Sequence, residues 1–306
     1  MAQIYSSQEA LEAGILNGSA CAFGVFDGVH RGHKYIIDFA REAASTLGAK
    51  SVVLTFDIDP DEMFRASSLK KLMSNEDRIA ELARLDVDAV VVFPFSREFA
   101  AQDPDDFLET AFRGNIPSSL HVGYDFRFGK KASGKVEHLI EWGAARGMEA
   151  VGHDLAAVDG APVTATRIRG LLAEGKIEQA RRLLGHGYAV EGEVEAGRGE
   201  GRDFGFKTAN LHVPDMMKVL GDGVYAAYAY VDGVRYKAAV SVGVAPTFEG
   251  AKANTEVHIL DFDGDLYGKP IRVEFTHWLR PMMTFPSVDE LIATVMSNID
   301  WVRRNL

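Results

Sequence analysis

The chain has 306 residues, 47% of them hydrophobic and 25% charged, and a formal net charge of −11. That length admits two domains of ordinary size, and the composition is that of a globular protein. The acidic balance argues against nucleic acid as a partner but not against small anionic substrates, for which a local basic patch suffices. Cys21 is the single cysteine, so no intrachain disulfide forms and a reducing compartment fits. No apolar run approaches the ~18 residues of a membrane span. Met1-Ala2-Gln3-Ile4-Tyr5 lacks a signal-peptide pattern, so a cytoplasmic protein without membrane partner is expected.

In chain order, residues 21–26 read as a short buried strand. From Tyr35 the pattern becomes helical, with Ile36, Ala40, Ala43, Ala44 and Leu47 on one stripe and Gly48 as the stop. Residues 51–56 form a compact apolar run. A helix follows over 74–85, with Ser74 as N-cap and Ile79, Leu82, Ala83 and Leu85 apolar. Residues 89–93 are a further buried strand, Asp103-Pro104 opens a helix, 120–123 is a strand and 136–146 a helix. Strands buried on both faces and separated by helices predict a parallel sheet, with ligands beyond the carboxyl ends of its strands. Near residue 187 the period changes to two. Val190, Gly192 and Val194 alternate with Glu191, Glu193 and Glu195, and residues 224–231 and 234–242 flank the hairpin turn Asp232-Gly233. Strands at 255–262 and 271–275 complete the pattern of a small antiparallel barrel. A helix then closes the chain, capped by Ser287 with Glu290, with Val288, Leu291, Ile292, Val295, Ile299 and Val302 as its buried stripe. The domains are therefore expected at 1–186 and 187–306.

The stretch Gly24-Val25-Phe26-Asp27-Gly28-Val29-His30-Arg31-Gly32-His33 lies between strand and helix. Its glycines admit close approach of a ligand, and the N–H groups and dipole of the following helix favour an anion there. Two imidazoles three residues apart at a helix start reach one ligand together. A second phosphate signal is Thr164-Ala165-Thr166-Arg167-Ile168-Arg169, ahead of a helix, although hydroxyls there are also ordinary N-cap chemistry. Gly197, Gly199 and Gly201 alternate up to Arg202, as a phosphate-wrapping loop or a hairpin tip would. Thr208 and Asn210, two apart after Lys207, share a strand face, and their oxygens suit a hard cation such as Mg²⁺. Glu256 and His258 share another face, as a general base with its neighbour or as an outward charged pair.

Taken together these residues resemble the bifunctional bacterial riboflavin kinase/FMN adenylyltransferase (FAD synthetase) family over nearly the whole length. The resemblance rests on Gly24 to His33, Val122-Gly123-Tyr124-Asp125-Phe126-Arg127-Phe128-Gly129, Thr166-Arg167-Ile168-Arg169 and Gly205-Phe206-Lys207-Thr208-Ala209-Asn210. It continues through Gly243-Val244-Ala245-Pro246-Thr247-Phe248, Glu256-Val257-His258-Ile259-Leu260 and Asp265-Leu266-Tyr267-Gly268. It implies a Rossmann-like nucleotidyltransferase domain of the α/β class, followed by a six-stranded riboflavin kinase-like barrel with a terminal helix. It also implies phosphorylation of riboflavin to FMN by ATP, then adenylyl transfer from ATP to FMN, giving FAD and pyrophosphate. In that reading His30, His33 and Arg169 stabilise charge in adenylyl transfer and Asp125 positions substrate. Gly24, Phe26, Asp27, Gly28, Gly32, Thr166 and Arg167 line the nucleotide site. Glu256 is the kinase base, Thr208 and Asn210 hold Mg²⁺, and the 197–202 loop with Lys207 lies at the ATP phosphates. A competing reading keeps the kinase and makes the first half a weak, redirected or regulatory nucleotidyltransferase. Asp59 stands where the family usually has histidine, and a carboxylate there is expected to repel an FMN phosphate unless Mg²⁺ intervenes. Lys207 replaces the usual proline, and Ala165 removes one hydroxyl from the usual run.

Overall fold

The computed structural model describes residues 1–65, 69–196, 206–243 and 254–306. Two compact units divide it. The first comprises residues 1–69 and 73–165; the second takes 70–72 and 166–306.

The first unit is built on a parallel sheet of order β1-β4-β3-β2-β5-β6. Its strands are β1 (Gln3–Ser6), β2 (Ala20–Phe23), β3 (Ser51–Phe56), β4 (Ala89–Phe93), β5 (Ser119–Gly123) and β6 (Glu149–His153). Alternate side chains leave opposite faces of the sheet. Cys21, Phe23, Val52, Leu54, Val91, Leu120 and Val122 enter one core with Phe107, Leu108, Leu139 and Trp142. Ala22, Val53 and Val90 enter the other with Ile36, Ile37, Ala40, Leu82 and Ala83. Both faces are thus covered by helices, which is why the strands read as continuous apolar runs. Phe23 packs against Phe56, Phe93, Phe107 and Phe126. Burial of each such ring contributes about 1.5–3 kcal/mol.

Three helices decide the site. Helix α2 (Arg31–Leu47) begins four residues before the expected Tyr35, because His30 caps it through its side chain. It stops at Gly48, whose φ of 62° is the left-handed cap expected of glycine. Helix α3 (Pro60–Arg65) was not anticipated from the apolar pattern. Helix α4 (Asn75–Arg84) is capped by Ser74, whose hydroxyl accepts from the Asp77 N–H, as expected.

In the second unit, β9 (Tyr188–Glu195), β10 (Ala209–His212), β11 (Gly223–Val231), β12 (Val234–Gly243), β13 (Asn254–Ile259) and β14 (Pro270–Arg280) close a barrel in the order β10-β13-β12-β11-β14-β9. Val190, Val194, Val240, Val257 and Val273 are buried in it. The β11–β12 hairpin turns at Asp232 and Gly233, with φ of 48° and 80°, the two positive values the tight turn requires. Strand β14 runs five residues beyond the expected end, with register shifts against β11. The C-terminal helix Val288–Asn305 is capped by Ser287. Only the later part of its expected stripe is buried: Ile299 and Val302 pack with Ala226 and Leu260, whereas Val288 is exposed. Helices α8 (Ala165–Ala173) and α9 (Ile177–Leu184) fall almost wholly in the second unit by contact, although the sequence boundary was drawn at 186/187.

Candidate functional site

In the sheet order, β2 stands between β3 and β5, and the chain leaves β2 for β3 through α2. The carboxyl ends of β2 and β5 therefore flank the point where the winding reverses, the usual ligand crevice of such sheets. Two of the expected stretches emerge there. Asp125 follows β5 by two residues, and its Oδ1 lies 2.9 Å from where a Cβ on Gly123 would stand.

The other is the turn after β2. The strand ends at Phe23, three residues earlier than expected, because Phe26 takes φ 59°. Gly28 follows at φ 72° and Val29 at φ 39°. A left-handed β-branched residue is strained by of order 1–3 kcal/mol, and such strain collects at functional turns. The turn brings His30 to the N-cap of α2, where its Nδ1 accepts from the His33 N–H at 3.3 Å. A ring nitrogen that accepts carries no proton, so a neutral His30 holds its hydrogen on Nε2. The His33 ring stacks on that of His30 and meets Phe26 edge-on. Its pKa lies well below the ordinary imidazole value, first through burial and then through the positive fields of His30 and Arg78. The buried Nδ1 of His33 has no hydrogen-bond partner among the described residues. A buried lone pair costs less than an orphaned N–H, so the proton of the neutral ring sits on Nε2. The two stacked rings thus stand at the N-terminus of α2, where N–H groups and the helix dipole favour anionic oxygens.

Gly32 has a local reason. A Cβ there would come within 2.9 Å of the Val163 carbonyl and 3.1 Å of the His30 ring. The segment leading to Thr164 therefore runs against the turn backbone. Thr166, Arg167 and Arg169 lie inside α8, not ahead of it, and Arg169 donates to the Thr166 hydroxyl at 3.4 Å.

Sequence reasoning missed Arg78. The apolar pattern of α4 pointed to Ile79, yet Arg78, Leu82 and Ala83 are its buried residues. The Arg78 side chain is fully buried. Its Nη1 donates to the Val25 carbonyl at 2.9 Å and the Thr55 hydroxyl at 2.6 Å. Its Nη2 donates to the carbonyl of Phe56 at 2.7 Å and to the Asn75 Oδ1 at 3.2 Å. Burial lowers its pKa, and the carboxylates of Asp59, Asp27, Glu62 and Asp57 oppose that. The only signal available in sequence was a cation four residues before a core leucine.

Asp59 caps α3. Its Oδ1 accepts from the Asp61 N–H at 2.9 Å, and its own N–H donates to Glu62 Oε1 at 3.1 Å. Asp59 thus caps the second N–H of α3 while Glu62 returns a bond to the Asp59 N–H, and the carboxylate also acts on Arg78.

On the barrel, Asn210 lies directly opposite Glu256 on β13, and Glu256 lies opposite Ser241 on β12. Their neighbours Leu211, Val257 and Val240 point inward, so these polar side chains share the outer wall. Thr208 precedes β10. His258 Nδ1 donates to the Lys207 carbonyl at 2.8 Å, tying that approach to β13. The Lys207 ammonium pairs with Asp263 at 2.9 Å on an exposed surface. Hydroxyl and amide oxygens are hard donors that Mg²⁺ takes, so Thr208 and Asn210 fit it chemically, with the Glu256 carboxylate opposite Asn210. Gly197, Gly199, Gly201, Arg202, Gly205 and 244–248 lie outside the described residues.

The FAD synthetase family model matches residues 13–167 and the riboflavin kinase model residues 184–306. A bifunctional riboflavin kinase/FMN adenylyltransferase of Listeria monocytogenes is 34% identical over 89% of this chain and 87% of its own. That of Haemophilus influenzae is 32% identical over 94% of each. A crystal structure described as a macrolide-efflux protein from Streptococcus pneumoniae matches with a TM-score of 0.82 and 29% identity, over 95% of each chain. Among the described residues no helix is long and apolar enough to cross a membrane. With both modules matched in order along the length of such relatives, the chain belongs to the bifunctional riboflavin kinase/FMN adenylyltransferase family.

Proposed function

We propose that the chain makes FMN from riboflavin and FAD from FMN, each with ATP, at two separate sites in modules spanning 1–186 and 187–306. The observation that carries this reading is the stacked His30–His33 imidazole pair capping α2 at the β2/β5 crevice, in one chain with a carboxylate flanked by amide and hydroxyl on a barrel wall.

In the kinase module a ribityl hydroxyl oxygen attacks the γ-phosphorus of ATP. Glu256 takes the hydroxyl proton, the new oxygen–phosphorus bond forms, and ADP leaves with the bridging oxygen. Thr208 and Asn210 hold Mg²⁺, which when bound offsets charge on the ATP phosphates. Asn210 pairs with Glu256 across the strands, and the His258 bond to the Lys207 carbonyl ties the residue before Thr208 to β13.

In the nucleotidyltransferase module the FMN phosphate oxygen attacks the α-phosphorus and pyrophosphate leaves. The nucleophile is already anionic, so no base is needed. The work is positioning and charge stabilisation, assigned to the Nε2–H groups of His30 and His33 and to the N–H groups of α2. The family resemblance gives Arg169, with Thr166 and Arg167, to the same reaction, and Asp125 to substrate placement. ATP as substrate of both steps fits a cytoplasmic setting. The regulatory alternative is disfavoured by the FAD synthetase match over 13–167.

The test is incubation with riboflavin, ATP and MgCl₂, followed by chromatographic separation of flavins. FMN and FAD together are expected. FMN alone overturns the adenylyl half of the reading, and recovery of riboflavin alone overturns both.

A further inference from the structure

We propose that Arg78 is a positioning residue for adenylyl transfer: its guanidinium ties the ends of β2 and β3 together and so sets the turn that presents His30 and His33. The proposal rests on the adenylyltransferase reading above.

The geometry is that of a staple. One arm of the fork reaches the Val25 carbonyl, the residue before left-handed Phe26, and the Thr55 hydroxyl. The other reaches the carbonyls of Phe56 and Asp57, at 2.7 and 3.4 Å, where β3 gives way to the Asp57-Ile58-Asp59 loop. Thr55 itself donates to the Val25 carbonyl at 3.3 Å, so both strand ends meet at one guanidinium. The β2–β3 ladder does not reach this point, because β2 ends at Phe23, whose β3 partner is Leu54. The arginine takes over where strand pairing stops.

A guanidinium is an expensive choice for this place. An apolar side chain of similar volume would fill it without desolvating a charge. What an apolar residue cannot do is fix several carbonyls from a rigid planar fork, and lysine, a point charge, cannot do it either. The charge also reaches the chemistry. Arg78 adds positive field at His33, while Asp27 in the turn, Asp57 and Asp59 after β3 and Glu62 on α3 face Arg78. His30 is the other charged neighbour of His33. Arg78 thereby helps keep His33 neutral, the state in which its Nε2–H is a donor and its stacking on His30 is unstrained.

Arg78→Lys and Arg78→Met decide the matter, assayed in the full chain with riboflavin kinase activity as internal control. In both variants kcat for FAD formation from supplied FMN is expected to fall at least tenfold, with KM for FMN within twofold and FMN formation from riboflavin unchanged. In Arg78→Met the acid limb of the adenylyl pH profile is expected to move to higher pH, because removing a positive charge raises the His33 pKa; in Arg78→Lys it stays. An adenylyl kcat unchanged in Arg78→Lys overturns the proposal, as does an unmoved acid limb in a folded Arg78→Met. Should Arg78→Met fail to fold, Arg78→Lys alone decides. Wild-type protein that makes no FAD from FMN and ATP overturns the adenylyltransferase reading itself, a result separate from any effect of residue 78.

Discussion

The imidazole of His30 lies flat on that of His33, with ring centres 3.5 Å apart and planes 18° from parallel. Two neutral rings stack comfortably at that distance. Two imidazolium rings would repel by about 1 kcal/mol even in water and by more in a buried setting. Close stacking therefore opposes protonation of both rings at once, in line with the lowered pKa of His33. His33→Ala is expected to reduce FAD formation from FMN by about 10²–10³-fold, the scale of one lost oxyanion donor. FMN formation from riboflavin should persist, as chromatography of the flavins will show; an unchanged FAD yield removes His33 from the mechanism.

Glu256 sits between Asn210 and Ser241 across two strand pairs. Glu256→Gln keeps the shape and the acceptor oxygen but cannot take a proton. The rate of FMN formation should drop by about 10²–10⁴-fold, the usual worth of a general base. FAD formation from supplied FMN should remain at the wild-type rate. Equal loss of both activities contradicts two separate sites.

Asp59 raises a different question, since the family usually has histidine there. The sequence suggests a carboxylate that repels the FMN phosphate, but the structure shows it spent on the N-terminus of α3 and faced by Arg78. Asp59→His is therefore expected to destabilise the first unit by about 1 kcal/mol through the lost cap, measured by urea unfolding. It should not accelerate FAD formation. A faster rate would mean that repulsion of the phosphate outweighs the cap.

His121 and His153 share a hydrogen bond, Nδ1 to Nε2, at 2.9 Å, and both rings stack on Phe39. Burial, then the neighbouring His153, lowers His121 from its ordinary 6.5 to about 4. In the unfolded chain it protonates near 6.5, so between these values the unfolded state binds more protons. The corresponding stability is complete above pH 6.5 and is lost as the pH falls towards 4. Calorimetry should show the Tm of the first unit falling across that window, less steeply in His121→Gln. An identical slope in the variant would assign the dependence to other groups.

Much of this fold was legible in local sequence. Ser51–Phe56 and Ala89–Phe93 announce themselves as strands because both faces are buried and nearly every position is apolar. Ser74, Gly48 and Asp232-Gly233 mark their cap, stop and turn because backbone geometry there depends on the residue itself. The His30 and His33 pair was visible for the same reason: three residues at a helix start fix their meeting without help from elsewhere.

What the tertiary structure alone decided depends on distant segments. Phe23 ends β2 because the turn must swing Phe26 into a left-handed conformation above the sheet. Arg78 displaces Ile79 from the inner face of α4 because carbonyls from two strand ends, 53 and 22 residues away, need a donor there. Lys207 finds Asp263 across 56 residues, and Val288 stays exposed while Ile299 and Val302 bury against Ala226 and Leu260. Periodicity tells which side chains can be buried, but unpaired backbone oxygens and charges are satisfied by whatever the fold brings beside them, and no local pattern encodes that.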